Sequence, residues 1–302
     1  MENKNKEITK QKTILVTGGA GFIGSHLCER LVKDPNNRVI SLDNYFTGSK
    51  DNHIEGVEYR EGHTKDIAKY ITETPDIIYH LGEYSRVAKS IEEPEIIWDM
   101  NMNGTFGVLE FWRKKKCKLL YAGSSTKFAD PRKEGIEGKN LSPYTWAKAA
   151  NTELVKNYAI WYELPYAITY FYNVYGPREM SGEYGTYIEI LRQKYLKGEP
   201  FEVRLPGTQK RNYTHVDDTI SGLILVGGKG EGDEYGIGAE ESYETLEVAK
   251  LFNHEIKMLP ERKTSRPSTK KVNTDKLKSL GWKQEHSLKD YINYILKQKK
   301  NA

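Results

Sequence analysis

The chain has 302 residues and a mass of 34.7 kDa, with 37% hydrophobic and 29% charged residues. This is too apolar for a disordered chain, and long enough to bury a core without metal or disulfide staples. Its 46 Lys+Arg against 42 Asp+Glu leave +4, which admits anionic small molecules and by itself argues for no nucleic-acid partner.

Cys28 and Cys117 are the two cysteines, so a disulfide framework and a four-cysteine zinc site are excluded. No apolar run nears the roughly 20 residues of a membrane span, and the polar start MENKNKEITKQK lacks the apolar core of a secretory leader. A reducing, cytoplasmic setting with no membrane partner is expected.

In chain order, residues 1–12 read as a disordered arm. Residues 13–17 are a short apolar, β-branched strand ended by glycines. Gly18 to Gly24 turns the chain, residues 25–33 have helical spacing, and residues 38–42 are a second strand closed by Asp43 and Asn44. Strand, glycine turn, helix and strand in this order make a βαβ unit.

Further strands are expected at 57–60, 76–81, 118–122 and 166–171. Helices are expected at about 65–73, at 94–115 behind Pro94, and at 143–162. The alternation predicts an α/β fold, a Rossmann-type doubly wound parallel sheet. After residue 175 the rhythm weakens. The reading is an NAD-binding Rossmann domain over 13–175 and a smaller C-terminal α/β substrate-binding portion over 176–302. A segment at about 213–237 returns to the first domain, and the tail from 287 to 300 is an amphipathic helix.

Gly18, Gly21 and Gly24 space as GxxGxxG between a strand and a helix. In that frame the glycines allow a tight turn, close approach of a pyrophosphate and close helix packing, and the helix N-terminus offers free amides. Asp43 lies at the end of the second strand, where a carboxylate accepts the ribose hydroxyls of NAD and repels the 2′-phosphate of NADP.

Tyr144 and Lys148 stand at i and i+4, on one helix face. A phenol ordinarily titrates near ~10, and a neighbouring ammonium and a nicotinamide cation both favour its ionised form. Tyr144 is thereby a candidate general base, and Ser124, at the C-terminal edge of the sheet, a candidate second hydroxyl on the substrate. The seven histidines show no metal-ligand spacing, so no metal is expected.

The signatures VTGGAGFIGSH from Val16, LDNYFTG from Leu42, HLG from His80, Asn101 before Gly104, Ser124, Tyr144-xxx-Lys148, NVYGPR from Asn173, RNYTHVDD from Arg211 and LGW from Leu280 occur in this order. Together the chain resembles the extended short-chain dehydrogenase/reductases, in their NAD-dependent nucleotide-sugar epimerase/dehydratase group, from residue 13 to about 296.

The resemblance implies Ser124, Tyr144 and Lys148 as catalytic residues. It implies Gly18, Gly21, Phe22, Ile23, Gly24, Asp43, Asn44, Leu81, Tyr144 and Lys148 around NAD. For a nucleotide-diphosphate sugar it implies Ser85, Ser124, Asn173 and Arg211, with Arg262 and Arg266 both candidates for a second phosphate arginine.

It also implies a homodimer through the 94–115 and 143–162 helices, and C4 epimerisation of a UDP-hexose or UDP-N-acetylhexosamine. The alternatives are a 4,6-dehydratase or C4 dehydrogenase on the same site, and a non-catalytic NAD-binding scaffold. Dehydratases of the group carry Asp-Glu straight after the catalytic hydroxyl; here those positions are Ser125 and Thr126. His63 stands where an aspartate usually meets the adenine amine, and Glu83-Tyr84 replaces small residues, with no role read for Glu83.

Overall fold

The computed structural model describes residues 11–125, 142–261 and 272–300. The first half runs β1 (Lys12–Thr17), α1 (Phe22–Val32), β2 (Asn37–Asp43), β3 (Val57–Glu61), α2 (Ile67–Tyr70), β4 (Ile77–His80), α3 (Pro94–Ile97), α4 (Gly104–Lys115), β5 (Lys118–Ser124), α5 (Pro143–Tyr162) and β6 (Tyr166–Phe171). The second half runs β7 (Val174–Tyr175), α6 (Tyr187–Lys197), β8 (Phe201–Arg204), β9 (Lys210–Asn212), β10 (Thr214–His215), α7 (Val216–Lys229), β11 (Gly232–Ile237), β12 (Ser242–Glu244), α8 (Thr245–Leu251), β13 (Ile256–Leu259), α9 (Asp275–Lys278) and α10 (Leu288–Lys300).

Seven strands form one parallel sheet in the order β11-β6-β5-β4-β1-β2-β3. This is the Rossmann-like α/β arrangement expected from the alternation. Chain order reverses between β1 and β4, and a crevice opens there beyond the strand ends. Leu15, Val16, Ile40 and Leu42 are buried because helices cover both sheet faces. One core joins Leu15, Ile40 and Leu119 to Trp112 and Val155; the other joins Val16, Leu27 and Leu120 to Ile220 and Leu223 of α7. A third core lies in the second half of the chain, around Phe201, Phe252, Leu191 and Ile292. No helix among the described residues is long and apolar enough to cross a membrane.

Three local expectations are corrected. The helix read at 65–73 is a 3-10 turn at Thr64–Asp66 and one α-turn at Ile67–Tyr70, because Ile71 turns to extended backbone (φ −118°, ψ 103°). The helix read at 94–115 is interrupted by a π segment, Trp98–Asn103, between α3 and α4. The π segment contains Asn101, whose side chain accepts from Tyr84 N–H at 2.8 Å and donates to Tyr84 O at 3.0 Å, clamping the loop after β4. Ser124 was read as following its strand and is instead the last residue of β5.

Candidate active site

A cavity of ≈ 840 Å³ lies over the β1/β4 reversal. The glycine turn forms one end. Gly18 has φ +75°, and a Cβ there would come 2.9 Å from Gly82 Cα. Gly24 falls inside α1, and a Cβ there would come 2.0 Å from Gly18 O, so a side chain would push the helix off the turn. Gly21 caps α1 with no side chain, and the first turn carries no acid. The amides of Phe22, Ile23 and Gly24 are thus left for an anion, and these residues line the cavity.

Asp43 ends β2 and lines the same end. Its carboxylate accepts from Ala20 N–H (2.9 Å) and Tyr45 N–H (2.8 Å), tying the glycine turn to the second strand. Burial raises its pKa, and these backbone donors oppose the rise. Asn44 Oδ1 accepts from Phe46 N–H at 3.2 Å, and Leu81 N–H donates to Thr17 Oγ1 at 3.2 Å; both residues line the cavity. His63 also lines it, with Nδ1 accepting from Lys65 N–H at 3.0 Å and Nε2 3.3 Å from Asp99. Burial lowers the pKa of this imidazole.

The middle of the cavity holds Ser124, Tyr144 and Lys148, each less than a tenth exposed. Helix α5 starts where it does because Ser142 and Thr145 form a reciprocal capping box with Pro143 in the first turn. That start places Tyr144 beside the end of β5, and its phenol donates to Ser124 Oγ at 3.4 Å.

One turn on, the Lys148 ammonium donates to Glu83 Oε2, to Ala122 O and to Tyr121 OH (3.2 Å). Glu83 Oε1 accepts from Thr105 Oγ1 (2.6 Å), Asn151 Nδ2 (2.9 Å) and Tyr121 OH (3.1 Å). Burial disfavours ionisation of Glu83, but the Lys148 ammonium above all, with His80 and the Thr105 hydrogen bond, holds the carboxyl below its ordinary range.

Behind Glu83 a chain of hydrogen bonds reaches the glycine turn. Thr17 Oγ1 accepts the amides of Leu81 and Gly82, so its own proton goes to His80 Nδ1 at 2.8 Å. His80 Nε2 then donates to Thr105 Oγ1 at 3.0 Å, and Thr105 donates to Glu83. Burial pushes the His80 pKa down to about 4, so the imidazole is neutral at physiological pH. Glu83, Tyr121 and Asn151 carried no role in the sequence reading. The available signal was position: Glu83 follows β4 at the sheet's C-terminal edge, where such folds bind ligands.

The far end is lined by Ser85, Arg86, Asn173, Glu179 and Thr186. Arg86 donates from Nε to Tyr184 O and from Nη1 to Ser85 Oγ at 3.1 Å. Glu179 Oε1 accepts from Thr186 N–H at 2.8 Å, while Oε2 is buried with no hydrogen-bond partner among the described residues. Burial pushes the Glu179 carboxyl up to about 7. Asn173 has φ +41° and donates to Asn212 O at 2.9 Å.

Arg211, on β9, donates to Lys210 O at 2.9 Å and is not among the described residues that line this cavity. Arg262 and Arg266 lie outside the described residues, as does Thr126. Away from the cavity, the fold gathers His215, Asp217 and His286, a grouping that no sequence spacing reveals. One nitrogen of each imidazole is engaged: His215 Nδ1 accepts from Asp217 N–H at 3.2 Å, and His286 Nδ1 meets Asp218 at 2.9 Å.

Comparison with known proteins agrees with this fold. The sequence profile described as "NAD dependent epimerase/dehydratase family" matches residues 14–238. A protein of Methanocaldococcus jannaschii, provisionally named a UDP-glucose 4-epimerase, is 33% identical over 95% of this chain and 98% of its own length. UDP-glucuronic acid decarboxylase 6 of Arabidopsis thaliana is 31% identical over 92% of this chain and 85% of its own. The structure of UDP-glucose 4-epimerase of Thermotoga maritima with UDP-glucose superposes with a TM-score of 0.85 at 27% identity, covering 96% of this chain and 99% of that one.

Proposed function

Because the chain belongs to the NAD dependent epimerase/dehydratase family, we propose that it is a nucleotide-sugar 4-epimerase acting on a UDP-hexose or UDP-N-acetylhexosamine. One observation carries this reading. The cavity joins Tyr144, Ser124 and Lys148, yet the two residues after Ser124 are Ser125 and Thr126, which supply no carboxylate for elimination. Glu83 is no substitute base, since its two oxygens already accept four donors.

The residues fit the cofactor. The bare amides at the start of α1 and the close-packed glycines suit its pyrophosphate, and Asp43 suits an unphosphorylated ribose. Bound NAD supplies the acceptor and then the donor of the C4 hydride. In its ionised form Tyr144 would take the proton of the sugar 4-hydroxyl at its phenolate oxygen and later return it. Ser124, hydrogen-bonded to that phenol, orients the same hydroxyl. Asn173, Ser85 and Arg86, at the far end of the cavity, hold the diphosphate away from C4, leaving the keto-sugar free to turn over.

A second reading, 4,6-dehydration, draws support from Glu179 alone, a cavity carboxyl pushed up to about 7 by burial and with one oxygen unpartnered. Incubating the protein with UDP-, GDP-, CDP- and dTDP-sugars in D2O and reading the products by NMR and mass spectrometry separates the two. Unchanged mass with inverted C4 and no deuterium at C5 is the expected result. Loss of water with deuterium at C5 supports the dehydratase, and loss of two hydrogens with consumption of added NAD supports a dehydrogenase.

The same reading makes the protein a cytoplasmic homodimer. Trp98, Phe106, Trp146, Ile160 and Trp161 are exposed on the 94–115 and 143–162 segments, an apolar face that a second copy would cover. Trp161→Glu should convert a dimer to monomer in sedimentation velocity; an already monomeric parent protein ends that part of the reading.

A further inference from the structure

The sequence offers no role for the carboxylate beside the catalytic lysine, and the structure makes it the lysine's nearest partner. An ammonium has three protons to donate. All three of Lys148's go to the chain itself: Glu83, Ala122 O and Tyr121. The two side chains of this ion pair are 6% and 4% exposed, so water screens the charges little. Glu83 in turn is held from every side. Its backbone N–H donates to Leu81 O at 2.9 Å, and Asn101 clamps the next residue. Thr105, Tyr121 and Asn151 fill its other oxygen. The neutral His80 behind Thr105 adds no charge.

We propose that Glu83 is a positioning residue and the counter-charge of Lys148, fixing the ammonium on the cavity floor and balancing the electrostatics where the nicotinamide ring binds. The location of that ring rests on the reading given under Proposed function; the pairing itself does not. A cationic oxidised ring and a neutral reduced ring respond differently to nearby charge. A lysine alone would favour the reduced form, and the Glu83–Lys148 pair removes that bias. Packing alone would not require a charge, since a glutamine can fill the same space and accept hydrogen bonds. The titratable groups facing the pair are Tyr121 from β5 and His80 from β4, with Tyr144 of α5 beside Tyr121. None of them is substituted in the experiment.

The experiment measures dissociation constants of NAD and NADH by calorimetry, without sugar, for the parent protein, Glu83→Gln, Lys148→Met and the double variant. The ratio Kd(NAD)/Kd(NADH) should rise about tenfold in Glu83→Gln, the size expected for one unscreened charge nearby. In Lys148→Met the unpaired, buried Glu83 carboxyl takes up a proton, so the ratio should stay near the parent value and fall only as pH is raised and that carboxyl ionises. In the double variant it should return to within about threefold of the parent value. Glu83→Asp, which keeps the charge, should keep the parent ratio even where overall affinity drops. An unchanged ratio in Glu83→Gln, or a ratio in Lys148→Met that does not fall with rising pH, overturns the proposal. Should glutamine at 83 prevent folding, Lys148→Met decides alone: its ratio must fall as pH is raised. Because no sugar is present, failure to convert any nucleotide sugar ends the epimerase reading and leaves this measurement standing.

Discussion

At the Lys148 end of the cavity the charged groups are matched within the chain, whereas at the Glu179 end they are not. Lys148 and Glu83 pair directly, and hydrogen bonds run on through Thr105 and His80 to Thr17 beside the glycine turn. Arg86 and Glu179 line one wall without forming an ion pair among the described residues, and Glu179 Oε2 has no partner. The contrast separates two kinds of construction. The cofactor end is assembled before any ligand arrives, which spares reorganisation at the moment of reaction. The other end leaves polar groups for a ligand to complete.

Four substitutions test that division, in order of expected effect. Tyr144→Phe removes only the hydroxyl that meets Ser124 at 3.4 Å. Turnover should fall by about a thousandfold, while NAD affinity and melting temperature hold, as steady-state kinetics and calorimetry would read. Gly24→Val places a side chain where even a Cβ would lie 2.0 Å from Gly18 O. NAD affinity should drop by more than about tenfold with the sugar end intact, measured by titration with the cofactor.

Glu179→Gln acts at the unfinished end, through stability. Burial raises this carboxyl from 4.5 to about 7, so its neutral form is the one the fold favours. The stabilisation is complete below 4.5 and lost as pH rises through about 7, an effect of about 3 kcal/mol. Denaturant melts of the ligand-free protein should weaken over that window, and Glu179→Gln should flatten the dependence. Arg86→Ala should raise KM for the nucleotide sugar about tenfold with a smaller change in kcat, the cost of one charged hydrogen-bonding partner. An equal loss of NAD affinity in Arg86→Ala would blur the boundary between the two ends.

How much of this could be read beforehand differs residue by residue. The glycine turn and Asp43 were visible because a turn, its helix and the following strand lie within one local stretch. Tyr144 and Lys148 were visible because a helix brings i and i+4 together. The π segment at Trp98–Asn103 was not, since its apolar spacing passes for an ordinary helix; its Asn101 pairs with a loop seventeen residues earlier. The helix read at 65–73 stops early for a similar reason. Glu73, inside that span, is held by Arg38 and Arg60 of neighbouring strands, and local pattern carries no record of them.

By itself the sequence determined the alternation of strands and helices and the place of the crossover turn, and it proposed Tyr144 beside Lys148, because each is written in neighbours along the chain. Only the tertiary structure decided what surrounds them. Glu83, Thr105, Tyr121, Lys148 and Asn151 come from a loop, a strand and two helices, and meet only once the sheet has closed over them. The charge on Glu83 follows from that meeting: burial opposes it, and the Lys148 ammonium, little screened by water, sustains it.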